Sequence, residues 1–242
     1  MELSYLGTKY HGWQKQPNAI SVQHTLESCL SKIFQKDIPI VGCGRTDTGV
    51  HARQYFAHFD VEAEVNTQMI VYKMNRMLPD DIGIRNLIPV PSDAHARYDA
   101  TSRKYHYYIK FFKTPLQKDT VYVFPFASRC DWEKVGQVSQ LLLDYNAFFP
   151  FCKSHSGVDH YEVKLELNGW KISPEGAVFQ IQGNRFLRGM VRLIVGACLN
   201  VGIGQLEIQE IEQALKHQRA LKKSWSVPPQ GLFLENVFYE FI

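Results

Sequence analysis

Residues 44–52 read GRTDTGVHA, and the fold turns on what the carboxylate in its middle is for. The stretch follows IPIVGCG (38–44), a short apolar run ending in glycines, and precedes YFAHFDVE (55–62), which alternates apolar and polar positions. That pattern predicts two partner strands with Asp47 on the Gly-flanked turn between them. Asp47-Thr48-Gly49 also matches the triplet around the aspartic protease carboxylate. Such an enzyme holds two carboxylates about 3 Å apart on one shared proton. One chain therefore needs two triplets, and this chain has one. A dimeric protease would supply one per subunit, but from a much smaller chain. Arg45, two residues before Asp47, favours the ionised carboxylate and opposes the raised pKa of a dyad. The protease reading fails. On chemistry alone two readings stay open: an ionised aspartate acting as nucleophile, and an Asx-turn or cap residue among turn formers.

The whole chain sets broad limits. Its 242 residues suffice for one large or two modest domains. A hydrophobic content of 45% with 21% charged residues is that of an ordinary globular enzyme. No run of about 18 apolar residues occurs, and the start lacks a basic-then-apolar signal pattern, so a cytoplasmic protein without a membrane span is expected. The five cysteines show no C-x-x-C pairing, and no H-E-x-x-H occurs among the nine histidines, which argues against a disulfide framework and a metal site. Net charge is only +3, but it is unevenly distributed. Residues 97–118 carry six basic side chains against the single acid Asp99, and residues 181–205 carry Arg185, Arg188 and Arg192 with no acid. A chain sorted in this way can turn one basic face to a polyanion. Solvated charges on unrelated surfaces are the plainer alternative.

Element signals recur in two similar successions. The first has a strand over ELSYL and a helix capped by Ser21 with Val22, Leu26, Cys29, Leu30 and Ile33 at helical spacing. The two strands around Asp47 follow, then a helix from Asn66 to about Met77, closed by LPDD. The second has strands at KYHYYIKFF (104–112) and VYVF (121–124), then a helix capped by Asp131 and carrying Val135, Val138, Leu141, Leu142 and Tyr145. A hairpin over 161–184, a helix over FLRGMVRLIVGACLNVG (186–202), a helix through Ile208, Ile211 and Leu215, and a strand from Phe233 complete it. The fold class is α+β, with two similar halves over residues 1–96 and 97–242. Each half is a mainly antiparallel mixed sheet with helices on one face, around a basic central cleft.

These segments resemble the TruA family of tRNA pseudouridine synthases, whose core reads G-R-T-D-[AS]-G-V-H-A. Only Thr48 departs from it, standing where a smaller residue is usual. The likeness runs through LSYLGTKYHGWQKQPNAISVQHTLE, HFD (58–60), LPDDI (78–82), RKYHYYI, GNRFLRGMVRLIVG and PPQGLFLENVFY, in order. It implies the pseudouridine synthase fold. It also implies an isomerase that converts uridine to pseudouridine at positions 38, 39 and 40 of the tRNA anticodon stem-loop. No cofactor and no metal are implied, and a homodimer is. Met1 sits directly on the opening strand, where the family has about four further residues. Either a truncated chain or a short first strand, with Glu2–Tyr5 frayed, is expected.

Residue by residue, the resemblance makes Asp47 the carboxylate that forms a covalent adduct while the C1′–N1 bond is cleaved. The sequence leaves open attack at C1′, attack on the base, or a glycal route. Tyr105 matches the tyrosine that stacks on the target base and mediates loss of the C5 proton, although YHYYI alone is what a half-buried strand looks like. Arg192 matches the arginine that pairs with the aspartate; inside an apolar helix a guanidinium needs a partner. Leu232 matches a leucine lining the uracil pocket, and Arg45 is expected to help hold the flipped nucleotide or its phosphate. Lys9, Lys15, Arg103, Lys104 and Arg188 are candidate RNA contacts, Arg188 lying one turn before Arg192 and Arg185 near the helix start. Trp13 is expected in the core. Specificity is expected in loop 152–160. The rivals are a catalytically silent tRNA-binding protein, a synthase for other uridines, and a hydrolase using Asp47. The first leaves Asp47, Tyr105 and Arg192 unexplained, and the last the basic strand and helix.

Overall fold

In the computed structural model the described residues are 1–62, 64–153, 157, 159–223 and 225–242. They form two compact units, Met1–Thr101 with Phe233–Ile242, and Ser102–Leu232.

In the first unit, β1 (Glu2–Tyr5) pairs antiparallel with both β3 (His51–His58) and β4 (Ile82–Asn86). β9 (Leu232–Phe238) runs parallel to β3, and the two-residue β2 (Val41–Gly42) pairs with the far end of β3. The expectation of a frayed first strand is therefore wrong. Glu2–Tyr5 has a partner on each side, and Leu3 and Tyr5 are buried, so both ladders and the core hold it. Helix α1 (Val22–Phe34) starts where Ser21 accepts the His24 N–H, burying Val22, Leu26, Cys29 and Leu30 as their spacing predicts. Helix α2 (Thr67–Met77) is capped by Asn66, which accepts from Met69 N at 2.9 Å, and stops before Pro79.

In the second unit, β5 (Ser102–Lys110), β8 (Gly176–Gly183) and β7 (Leu165–Ser173) form an antiparallel sheet in the spatial order β5-β8-β7. The short β6 (Tyr122–Val123) runs parallel to β5. The pairing Tyr105↔Ile181, Tyr107↔Phe179 and Ile109↔Ala177 sets the register. Partners directly opposite share a face, so Arg103, Tyr105, Tyr107 and Ile109 project to one side and Lys104, His106 and Tyr108 to the other. Helix α3 (Trp132–Leu142) begins at Asp131, whose carboxylate accepts from Glu133 N and Lys134 N, each at 3.1 Å. It ends before Tyr145, which was expected on it. α3 packs against β7 and against α4 (Met190–Gly202), and α5 (Ile208–Lys216) opens with a capping box between Glu207 and Glu210. Among the described residues no helix is long and apolar enough to cross a membrane.

Candidate active site

Asp47 is half-buried in the turn between β2 and β3, and the segment after β1 wraps this turn on both sides. On one side Gly12 has φ +85°, and a Cβ there would stand 2.3 Å from the Thr46 carbonyl oxygen, so only glycine permits the approach. On the other side a Cβ on Gly7 would lie 2.0 Å from the Val50 carbonyl oxygen. Between them the loop is held by named bonds. The Tyr5 hydroxyl lies 2.9 Å from Thr46 Oγ1, and Trp13 N donates to the Thr46 carbonyl. Gly49 N donates to the Tyr10 carbonyl, and Val50 N closes the turn on the Asp47 carbonyl at 3.1 Å. The Tyr55 hydroxyl donates to the Gly44 carbonyl. The imidazole of buried His51 accepts the Gly7 N–H through Nδ1 at 2.9 Å. Acceptance at that nitrogen needs it deprotonated.

Trp13 is 2% exposed and stacked on Tyr55 at 4.0 Å, in the core as expected. Arg45 points to solvent and donates from Nε to Gln14 Oε1 at 3.2 Å. Thr48 is also exposed, so a residue larger than Ala or Ser meets no packing limit there. Lys9 and Lys15 are exposed but engaged, Lys9 with Asp81 at 3.5 Å and Lys15 with Glu27 at 3.2 Å. Asp81 also accepts the Tyr10 hydroxyl at 2.5 Å; burial first, then this carboxylate, pushes the Tyr10 phenol far above its ordinary range. Tyr5, Tyr10 and Asp81 were not anticipated as parts of the loop's support. The available signal was tyrosine at buried positions, since a buried phenol seeks a hydrogen-bond partner.

The second unit carries the other residues. Tyr105 is half-buried on β5, its ring edge-on to Phe186 at 5.0 Å. Two residues on, on the same face, the Tyr107 hydroxyl donates to the Pro228 carbonyl at 2.7 Å. Arg192 Nε donates to the adjacent Val227 carbonyl, also at 2.7 Å, and Val227 N returns a bond to the Arg192 carbonyl. Segment 227–228 thus joins the Tyr105 face of β5 to the first turn of α4. Burial drives the Tyr107 phenol well above its usual pKa, with the nearby Arg192 charge opposing, so Tyr107 remains a donor. Leu232 is buried at the start of β9, directly after Gly231, where a Cβ would stand 2.8 Å from Tyr107 Cζ.

Other placements differ from expectation. The helix begins at Met190, because Gly189 takes φ +74° immediately before it. Arg188 and Arg185 therefore precede α4 and do not ride on it. Arg188 is exposed, its carbonyl accepting the Lys153 N–H, and Arg185 Nη1 lies 2.7 Å from His160 Nε2. Arg103 Nη1 donates to the Asn184 carbonyl at 2.9 Å and shares the Tyr105 face, whereas Lys104 projects to the opposite one. In the expected specificity loop 152–160, residues 154–156 and 158 lie outside the described ones. Among the described residues no group of three or more His, Cys, Asp or Glu could hold a metal ion.

Comparison with known proteins bears on the same residues. The family model described as tRNA pseudouridine synthase matches residues 3–99 and 130–240. The chain is 41% identical over 238 residues to tRNA pseudouridine synthase A of Parabacteroides distasonis, covering 98% of this chain and 94% of that protein. It is 41% identical over 239 residues to the protein of the same name from Bacteroides fragilis, with the same coverage. With that of Bacteroides thetaiotaomicron it shares 40% over 240 residues, 98% of this chain and 88% of the other. The matched spans include the Asp47 turn, the wrapping segment after β1 and the helix bearing Arg192, and the chain belongs to the TruA family of tRNA pseudouridine synthases, isomerases that convert uridine in tRNA to pseudouridine.

Proposed function

We propose that this chain isomerises uridines 38, 39 and 40 in the tRNA anticodon stem-loop, with Asp47 forming the covalent intermediate. The observation that carries this reading is the GRTDTGVHA turn, which offers one half-buried carboxylate on a backbone fixed by Tyr5, Tyr10 and Trp13. A fixed backbone pre-positions a nucleophile at no further entropic cost during reaction. The target base leaves its stack to reach such a group. Its C1′–N1 bond breaks as the Asp47 adduct forms, the uracil turns and rejoins C1′ through C5 with release of that adduct, and the C5 proton departs while N1 takes one up. Substrate and product are isomers, and the reading assigns the reaction no cofactor and no metal.

In this reading Tyr105 stacks on the flipped base and mediates loss of the C5 proton, and Arg192 pairs with the Asp47 carboxylate and orients it. Leu232 lines the uracil pocket and Arg45 holds the flipped nucleotide. Lys9, Lys15, Arg103, Lys104 and Arg188 meet phosphates, which supply most of the affinity for a nucleic acid. The protein acts as a cytoplasmic homodimer, so that two basic faces serve one tRNA and offset the modest net charge.

Carbodiimide derivatisation of pseudouridine, followed by primer extension on treated tRNA, tests the positions. Stops at 38, 39 and 40 are expected in transcripts carrying uridine there. Stops confined to another arm would assign the chain a different set of uridines.

A further inference from the structure

The basic run from Arg97 to Lys118 opens on an aromatic ring that no role above uses. Tyr98 is 75% exposed, although the backbone beneath it is tightly held. His95 Nδ1 accepts from both Arg97 N and Tyr98 N, at 3.1 and 3.2 Å. Asp99 Oδ2 accepts the His95 N–H at 2.6 Å, and Asp99 N donates back to the His95 carbonyl. Ala96 is fixed on both sides, its N–H on His58 Nδ1 at 3.0 Å and its carbonyl on the Tyr239 hydroxyl at 2.5 Å. The His95 ring stacks on Tyr98 with centroids 4.2 Å apart and planes 27° from parallel. The Arg97 guanidinium carbon lies over the Tyr98 ring, 5.7 Å from its centroid.

We propose that Tyr98, backed by His95 and flanked by Arg97, is a stacking platform for an unpaired nucleotide of the RNA substrate. The inference rests on the reading of this chain as an enzyme acting on tRNA. A rigidly presented ring accepts any base face, because every base has a π-surface. Proteins recognise unpaired RNA bases by stacking of this kind. The hydrogen bonds around His95 fix the backbone in advance, so less entropy is lost on contact. The neighbouring guanidinium supplies the charge that attracts the adjoining phosphate. Charge favours RNA over a protein partner here, because the ring carries the Arg97 guanidinium and opens the basic run 97–118, whereas the core of a protein interface is depleted of charge.

The test is binding of an unmodified tRNA transcript, followed by anisotropy across a salt series, to the wild-type chain and to Tyr98→Ala and Tyr98→Trp. Tyr98→Ala is expected to weaken binding by about 5- to 150-fold. Tyr98→Trp, which keeps a stacking surface, should stay within about two-fold of wild type. The salt slopes should coincide, because no phosphate contact is removed. Tyr98→Ala binding as tightly as wild type overturns the platform and leaves the proposed reaction standing. A loss that Tyr98→Trp shares equally also overturns it, by assigning Tyr98 a structural role. Should Tyr98→Ala fail to fold, the added indole emission of Tyr98→Trp decides, since stacking quenches it and unchanged emission on tRNA overturns the proposal. A wild-type chain that neither binds tRNA nor forms pseudouridine overturns both readings together.

Discussion

The Tyr5 hydroxyl and Thr46 Oγ1 lie 2.9 Å apart, tying the end of the first strand to the residue before Asp47. Tyr5 also packs its ring near Trp13 and Tyr55, so Tyr5→Phe removes the hydroxyl and keeps the packing. The variant should lose about 1 kcal/mol of stability. Its kcat should fall by up to about 100-fold with little change in KM, because the defect lies in how Asp47 is aimed. Thermal unfolding and steady-state pseudouridine formation read the two effects.

Gly12→Ala attacks the same turn through the backbone. The positive φ is unfavourable for alanine, and the new methyl would sit 2.3 Å from the Thr46 carbonyl oxygen. A loss of about 2 kcal/mol or more is expected, with activity falling alongside it. Chemical denaturation measures the first. A stability equal to wild type would mean that the wrapping segment yields easily and does not fix Asp47.

Arg192→Lys keeps the charge and loses the Nε donor to the Val227 carbonyl. Lysine's point charge on a flexible stem cannot reproduce a directed guanidinium bond. The expected cost is about 1–3 kcal/mol in unfolding free energy, and pseudouridine formation should drop strongly. Full activity in Arg192→Lys would remove the guanidinium from the account.

His58 supplies the pH dependence. Burial, and then the neighbouring His95, lower its pKa below the ordinary value, while its Nδ1 accepts the Ala96 N–H. With the folded pKa below the unfolded one, the unfolded chain binds more protons as pH falls. This contribution to stability is present above about pH 6.5 and is lost on acidification below it. His58→Asn keeps an acceptor and cannot titrate, so its melting temperature should fall less steeply between neutral and mildly acid pH. Parallel curves for the two proteins would exclude His58 as the source.

The sequence was most legible where local chemistry decides structure. Ser21, Asn66 and Asp131 each cap the helix read from them, because their side chains satisfy N–H groups that no tertiary partner reaches. β4 carries little sequence signal, since Ile82 and Ile84 are the only apolar alternation in IGIRN and the ladder to β1 supplies the rest. Helix α4 starts later than its apolar run suggests. Leu187 is buried like a helix residue, but from an irregular segment that Gly189 separates from the helix. The Asp47 turn was found from its own motif. Its support by Tyr5, Gly7, Tyr10 and Gly12 comes from residues about 34–43 positions earlier, whose spacing carries no signal of that contact.

The central claim is that Asp47 is the group on which the isomerisation depends. Unmodified tRNA labelled with tritium at uridine C5, incubated with wild type and with Asp47→Asn, tests it directly, since label leaves only when C5 exchanges its hydrogen for the new glycosidic bond. The account predicts tritium release by wild type and none above background by Asp47→Asn, with the variant still binding tRNA and unfolding at a comparable temperature. Release at a comparable rate by Asp47→Asn would contradict it.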